Sequence, residues 1–232
     1  MGTTHALNLP DVLTIAGPAK SGKSLLAAEL AAARAGARPT FLGRFSVTQG
    51  KTLLLDDQYS PSVIGNRFRR ITSPRWWAEN RTLFLLRPAV PMDLREYADR
   101  VVKCGFKHVI IDSLSVFDDC TYMFRGDGIE PFLFERDCHR YVGAGAFIDL
   151  LRERGITCAF TCNQNIEVCE VVYVTAKGRH VYFPLNDEHA TRDAIVIRRG
   201  PLRLSGRGAL AQAFSAGETH RINPDTLRFE VL

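Results

Sequence analysis

The chain has 232 residues, 46% of them apolar and 24% charged, with a formal net charge of +5 and a pI of about 9.0. This is the composition of a soluble globular protein able to bury a core, and no run reaches the roughly 18 apolar residues of a membrane helix. Six scattered cysteines argue against a disulfide scaffold, and the N-terminal MGTTHALNLPDV lacks the basic and apolar regions of a secretory leader. The expectation is therefore a cytoplasmic protein, or one of another reducing intracellular compartment. The basic balance permits a polyanionic partner without requiring one.

The predicted elements follow in chain order. VLTIA, from Val12 to Ala16, is an apolar run rich in β-branched residues and predicts a buried strand. The glycine-rich GPAKSGKS comes next, and KSLLAAELAAARA carries helix formers as far as Gly36. KTLLLDD predicts a second buried strand ending at Asp56, Pro61 opens a helix in SPSVIGNRFRRI, and TLFLL (82–86) is a third strand. PMDLREYADRVVKCG has Leu94, Tyr97, Ala98, Val101 and Val102 on one helix face. HVIIDSLSVF predicts a fourth strand and a turn, and residues 118–140 carry no regular pattern. YVGAGAFIDLLRERG predicts a helix closed by Gly155, and ITCAFTC a fifth strand.

Strands alternating with helices predict an α/β fold, a mainly parallel sheet flanked by helices on both faces. Past residue 155 no long helix pattern occurs. VCEVVYVTAKGRHVYFPL predicts two strands around Lys177-Gly178, and AIVIRR, ALAQAF and TLRFEVL predict further strands. No repeat or linker is visible, so residues 1–232 are expected to form a single domain with a β-rich C-terminal part.

Gly17, four residues, then Gly22-Lys23-Ser24 fits the phosphate-loop pattern GxxxxGK[ST]. The glycines let the backbone wrap a phosphate, and the N–H groups at the start of the following helix face the anion. Lys23 adds a positive charge, and the Ser24 hydroxyl is suited to Mg²⁺. The predicted nucleotide-binding residues are Gly17, Pro18, Ala19, Lys20, Ser21, Gly22, Lys23, Ser24 and Leu25. Asp112 ends the apolar HVIID strand, where a carboxylate can reach the loop and hold Mg²⁺ with Ser24. Two predicted strands separate Lys23 from Asp112 in sequence, and one of them has room to lie between the two motif strands.

Other constellations read less specifically. Arg67, Arg69, Arg70, Arg75, Trp76 and Trp77 could bind nucleic acid, dock a subunit or cover a helix surface. Cys158, Cys162 and Cys169 match no zinc spacing and are expected to be buried as small apolar side chains.

In GPAKSGKS, KTLLLDDQYSPSVIGNRF, HVIIDSLSVF, FIDLLRERGITCAFTCNQN, DAIVIRR and the tail HRINPDTLRFEVL, the chain resembles RecA-like P-loop ATPases of the RecA/RadA/KaiC group over nearly its whole length. The resemblance implies ATP and Mg²⁺ as ligands and a Mg²⁺-dependent ATPase in which Lys23 serves catalysis. It also implies a homo-oligomer, or a hetero-oligomer with a related subunit, and nucleic acid as a possible partner. The family's D-x-E glutamate, which orients the attacking water, falls on Gln58, with Asp57 as the substitute. Gln164, or Asn163, takes the place of the γ-phosphate sensor. A cation supplied across a subunit interface points to Arg198, Arg199, Arg203 or Arg207. Because an amide is a poor base, slow turnover or binding without turnover are both open. The competing readings are a nucleic-acid helicase or packaging motor, a non-hydrolysing assembly scaffold like the recombinase paralogues, and a small-molecule phosphotransferase, for which no acceptor motif is visible.

Overall fold

The structure is a computed structural model that describes residues 7–17, 20–56, 59–86, 94–112, 147–162, 170–174, 180–184, 194–198, 202–215 and 218–232. The strands are β1 (Leu7–Asn8), β2 (Val12–Ala16), β3 (Thr40–Phe41), β4 (Phe45–Ser46), β5 (Thr52–Asp56), β6 (Leu83–Leu86), β7 (His108–Asp112), β8 (Thr157–Cys162), β9 (Glu170–Val174), β10 (His180–Pro184), β11 (Ala194–Arg198), β12 (Arg203–Arg207), β13 (His220–Ile222) and β14 (Phe229–Val231). The helices are α1 (Lys23–Ala32), α2 (Pro61–Ile71), α3 (Pro74–Glu79), α4 (Leu94–Lys103) and α5 (147–153).

Seven strands form one sheet in the order β12-β11-β2-β8-β7-β5-β6. All neighbours are parallel except the β11–β12 pair. Both faces are covered, which is why the inner strands read as near-continuous apolar runs rather than alternating ones. Leu13, Ile15, Leu54, Ile110 and Ile197 pack against α1 and α2 through Leu26, Leu30, Ile64 and Phe68. Leu53, Leu55, Val109, Ile111 and Phe160 pack on the other face against Ala98 and Val101 of α4 and Phe147 and Leu151 of α5. Alternate residues of one strand thus feed two cores.

Helix α1 is buried around most of its circumference, and its alanines allow close approach to the sheet. Its one acidic side chain, Glu29, is 1% exposed and pairs with Arg38 at 3.2 Å and Arg228 at 3.7 Å. Glu29 Oε2 also accepts the Phe229 N–H at 3.3 Å. This tie draws the antiparallel β13–β14 hairpin onto the helix.

Several expectations are corrected by packing. The strand between the two motif strands is β8, which follows Asp112 in sequence, and not one of the two strands preceding it. ALAQAF is not a strand: it forms a short 3-10 turn over Gly208–Leu210 and further turns, burying Leu210, Ala213 and Phe214. Val102 of α4 is 43% exposed and leaves the buried face to Ala98 and Val101. The segment 72–80 contains a helix, α3, with Pro74 at its start and the Ser73 side chain accepting the Trp76 N–H at 3.0 Å. Strands β9 and β10 pair antiparallel as expected, while their predicted turn at Lys177-Gly178 lies outside the described residues.

A buried polar cluster stands at the opposite end of the sheet from the strand ends that carry Asp56 and Asp112. Arg34 Nη1 donates to Thr157 Oγ1 at 2.6 Å, and His108 Nδ1 lies 2.7 Å from the same hydroxyl. The Thr157 proton is then directed at Nδ1, so His108 is held neutral. Burial, with the Arg34 charge second, lowers its pKa from 6.5 to about 4, while burial lowers that of Arg34 to about 10. Because the folded pKa lies below the unfolded one, the unfolded chain takes up the extra proton first. His108 therefore contributes stability that is complete above about pH 6.5 and is lost as pH falls through about 4. Chemical denaturation should show His108→Asn losing about 3 kcal/mol less than wild type between pH 8 and pH 4. Identical losses in the two proteins would refute the assignment.

Candidate functional site

The loop between β2 and α1 owes its shape to three residues with positive φ or close contacts. Gly22 has φ 97, and a Cβ there would come within 3.0 Å of both Ile222 Cδ1 and Phe229 Cζ, so the C-terminal hairpin braces the loop. A Cβ on Gly17 would meet the Ile197 carbonyl oxygen at 2.7 Å, which packs the loop on β11. Lys20 is left-handed at φ 60. Pro18 and Ala19 lie outside the described residues.

Gly22 caps α1 without a side chain, and the first turn holds no acidic residue. The positive end of the helix dipole therefore has no carboxylate from its own first turn. Leu25 N–H bonds the Gly22 carbonyl at 3.0 Å. Lys23 is 6% exposed and donates from Nζ to the Gly17 carbonyl at 3.0 Å, so the cation lies across the mouth of the loop. Ser21 is 4% exposed, and its Oγ has no hydrogen-bond partner among the described residues. An orphaned hydroxyl inside a positively polarised loop is matched by an anion with several acceptor oxygens.

Across the sheet, Ser24 Oγ donates to Asp112 Oδ1 at 3.1 Å, and Thr161 Oγ1 of the intervening β8 donates to the same oxygen at 2.8 Å. The structure thus brings Lys23, Ser24 and Asp112 together at the C-terminal ends of parallel strands, where open α/β sheets bind ligands. Asp56, predicted only as the end of a strand, pairs in register with Asp112. Both are buried, at 4% and 3% exposure. The readable signal was its place as the last residue of an apolar strand, the same place Asp112 has in β7. Burial above all raises the Asp112 carboxyl to about 6. Asp56 pushes it the same way, while the Thr161 and Ser24 hydrogen bonds and the Arg67 charge act against the rise. Two adjoining carboxylates and a hydroxyl form a hard oxygen set that suits Mg²⁺ completed by phosphate oxygens and water.

Asp57, Gln58, Asn163, Gln164, Arg199 and Cys169 lie outside the described residues. Arg198 and Arg203 pair at the end of the β11–β12 hairpin, and β11 runs parallel to β2, so both stand at the same end of the sheet as the loop. Arg207 pairs with Ala194 at the other end. Cys158 is fully buried, as expected. In the basic and aromatic patch, Arg70 donates to the Pro224 and Asp225 carbonyls and Arg75 pairs with Glu79. Trp77 stacks on Phe68 with centroids 5.2 Å apart. These side chains are largely engaged within the protein. A cleft of about 510 Å³ lined by Asp11, Asp149, Arg152 and Thr157 opens at the strands' N-terminal end and is separate from the loop.

Residues 6–119 match the family described as the AAA domain. No curated protein matches the sequence. Among solved structures, a KaiC-like protein of the hyperthermophilic archaeon Pyrococcus horikoshii OT3 superposes with a TM-score of 0.59 at 14% identity, over 95% of this chain and 88% of that one. At that identity the likeness speaks for the fold. Among the described residues no helix is long and apolar enough to cross a membrane. The segment that matches the AAA domain spans just under half of the chain and includes the phosphate loop, and the architecture shared with the KaiC-like structure gives the chain a RecA-like fold.

Proposed function

We propose that this chain is a Mg²⁺-dependent ATP-binding protein of the RecA/RadA/KaiC group that works as a single-domain subunit of an oligomer and turns ATP over slowly. The observation that carries the reading is the Ser24–Asp112 hydrogen bond across β8, beside a lysine held over the phosphate loop. In this reading Gly17 to Leu25 wrap the phosphates, with Ser21 Oγ finding its acceptor among them. Lys23 balances charge on the terminal phosphates, and Ser24 and Asp112 hold Mg²⁺, which would neutralise charge on the phosphoryl group being transferred. Asp56 adds negative charge beside Asp112, so a divalent cation relieves the repulsion between the two carboxylates. Gln58, with Asp57 next to it, orients the attacking water, and Gln164 reports the terminal phosphate.

The arginine pair Arg198 and Arg203, at the loop's end of the sheet, is the part of the basic segment suited to reach a neighbouring subunit's nucleotide. Arg203 is exposed. A second copy of the chain, or a related subunit, is the first expected partner and nucleic acid the second. An assembly scaffold that binds ATP without cleaving it is the alternative, and the amide at position 58 favours it. One experiment separates these readings: ATP turnover with and without single-stranded DNA and RNA, together with mass measurement with and without ATP. The expected result is ATP binding, slow turnover and a mass above that of the 25.9 kDa monomer when ATP is saturating. A monomeric mass at micromolar protein and saturating ATP would defeat the oligomer, and a strong stimulation by nucleic acid would favour a motor.

A further inference from the structure

Helix α2 brings a cation to the carboxylate side of the site. Arg67 is half-buried, and its guanidinium carbon lies 3.7 Å from the centroid of the Tyr59 ring. Tyr59 is anchored in turn, its N–H donating to Asp56 Oδ1 at 3.1 Å. Asp56 is the register partner of Asp112. The chain of contacts from Arg67 through Tyr59 and Asp56 ends at the carboxylate that Ser24 binds, and the Arg67 charge is felt there.

The other described arginines of comparable burial each face a carboxylate or a hydroxyl, although Arg228 Nε makes no hydrogen bond. Arg34 donates to Thr157, Arg38 and Arg228 face Glu29, Arg44 pairs with Glu218, and Arg154 pairs with Asp99. Arg67 has no ion pair and no hydrogen bond among the described residues, and its guanidinium lies over the Tyr59 ring. Stacking fixes the plane of a guanidinium without using its N–H groups, which leaves a rigid fork suited to two oxygens of a phosphate.

We propose that Arg67 is a phosphate-binding residue supplied by the chain itself, seated on Tyr59, that takes oxygens of the terminal phosphate of a bound nucleoside triphosphate. The inference rests on the nucleotide-binding reading above and deepens it. Lys23 approaches the phosphates from the loop, whereas Arg67 approaches from α2, on the side of the two aspartates. A cation placed there discriminates triphosphate from diphosphate, because the diphosphate has no oxygens on that side. Tyr59 then acts as a positioning residue whose ring is needed and whose hydroxyl is not.

The test is titration of the full chain, with Mg²⁺, by a fluorescent non-hydrolysable ATP analogue and by the matching ADP analogue. Wild type is expected to favour the triphosphate. Arg67→Ala should weaken triphosphate binding about 10- to 100-fold, the range for charge-assisted hydrogen bonds, with diphosphate affinity and melting temperature unchanged. Arg67→Lys should recover part of the preference, Tyr59→Phe should keep it, and Tyr59→Ala should lose part of it. Unchanged triphosphate affinity in Arg67→Ala, or equal loss for both analogues, overturns the inference and leaves nucleotide binding standing. Failure of wild type to bind either analogue overturns the nucleotide reading and this inference with it.

Discussion

Lys23→Ala should lower affinity for ATP with Mg²⁺ by about 100-fold or more, equivalent to about 2.7 kcal/mol, as expected when a charged donor is removed from a phosphate held out of water. The side chain is buried and already lies across the loop mouth, with Nζ 3.0 Å from the Gly17 carbonyl. Little ordering is therefore left to be done when a phosphate arrives. Lys20 also stands on the loop, but Lys23 is the one basic residue in the first turn of α1, which carries no acid. Alanine suits the helix at this position, so the fold should survive, and a melting curve without nucleotide checks that. Calorimetric titration of both proteins gives the answer. Undiminished binding by a folded Lys23→Ala protein would remove the phosphate loop from the site.

What was legible beforehand follows from which constraints are local. The runs at 52–56 and 108–112 announced themselves as buried strands because helices cover both sheet faces, so the three positions between the first residue, Thr52 or His108, and the terminal aspartate are all apolar. The loop was legible because its chemistry demands glycine, lysine and serine at set positions. The order of strands was not legible, since an apolar run does not name its neighbour. That is why β8 was not foreseen between β2 and β7. For the same reason the register of Asp56 with Asp112 was not legible, and Arg67, named only as part of the basic patch, gave no sign of its stacking contact with Tyr59 eight residues away. ALAQAF misled because its spaced apolar residues serve a turn that packs Leu210 and Phe214 inward as well as they would serve a strand. For the tryptophans beside the arginines the sequence left nucleic acid, a docked subunit and a helix surface all open, and Trp77 stacks within the protein on Phe68.

Gln58→Glu is expected to raise ATP turnover by about 10²- to 10⁴-fold, the usual worth of a positioned acid or base. By the resemblance in sequence, Gln58 falls where the RecA/RadA/KaiC group carries its water-orienting glutamate. A carboxylate there can accept the proton of the attacking water, whereas a neutral amide can only hold the water by hydrogen bonding. Neither described aspartate nearby is an obvious replacement. Asp112 is bonded by Ser24 and Thr161, and Asp56 accepts the Tyr59 N–H, so both are already engaged. Asp57 is the remaining carboxylate between Asp56 and Tyr59, and its side chain is one methylene shorter than that of glutamate. The two candidates separate cleanly in single-turnover assays. If Gln58 holds the position, Gln58→Glu accelerates hydrolysis and Asp57→Asn leaves the slow wild-type rate largely intact. If Asp57 is the base, Gln58→Glu changes little and Asp57→Asn abolishes turnover. Brisk wild-type hydrolysis that survives Gln58→Ala unchanged would dispose of the argument from the amide, because a residue that orients the water cannot be deleted without cost to the rate.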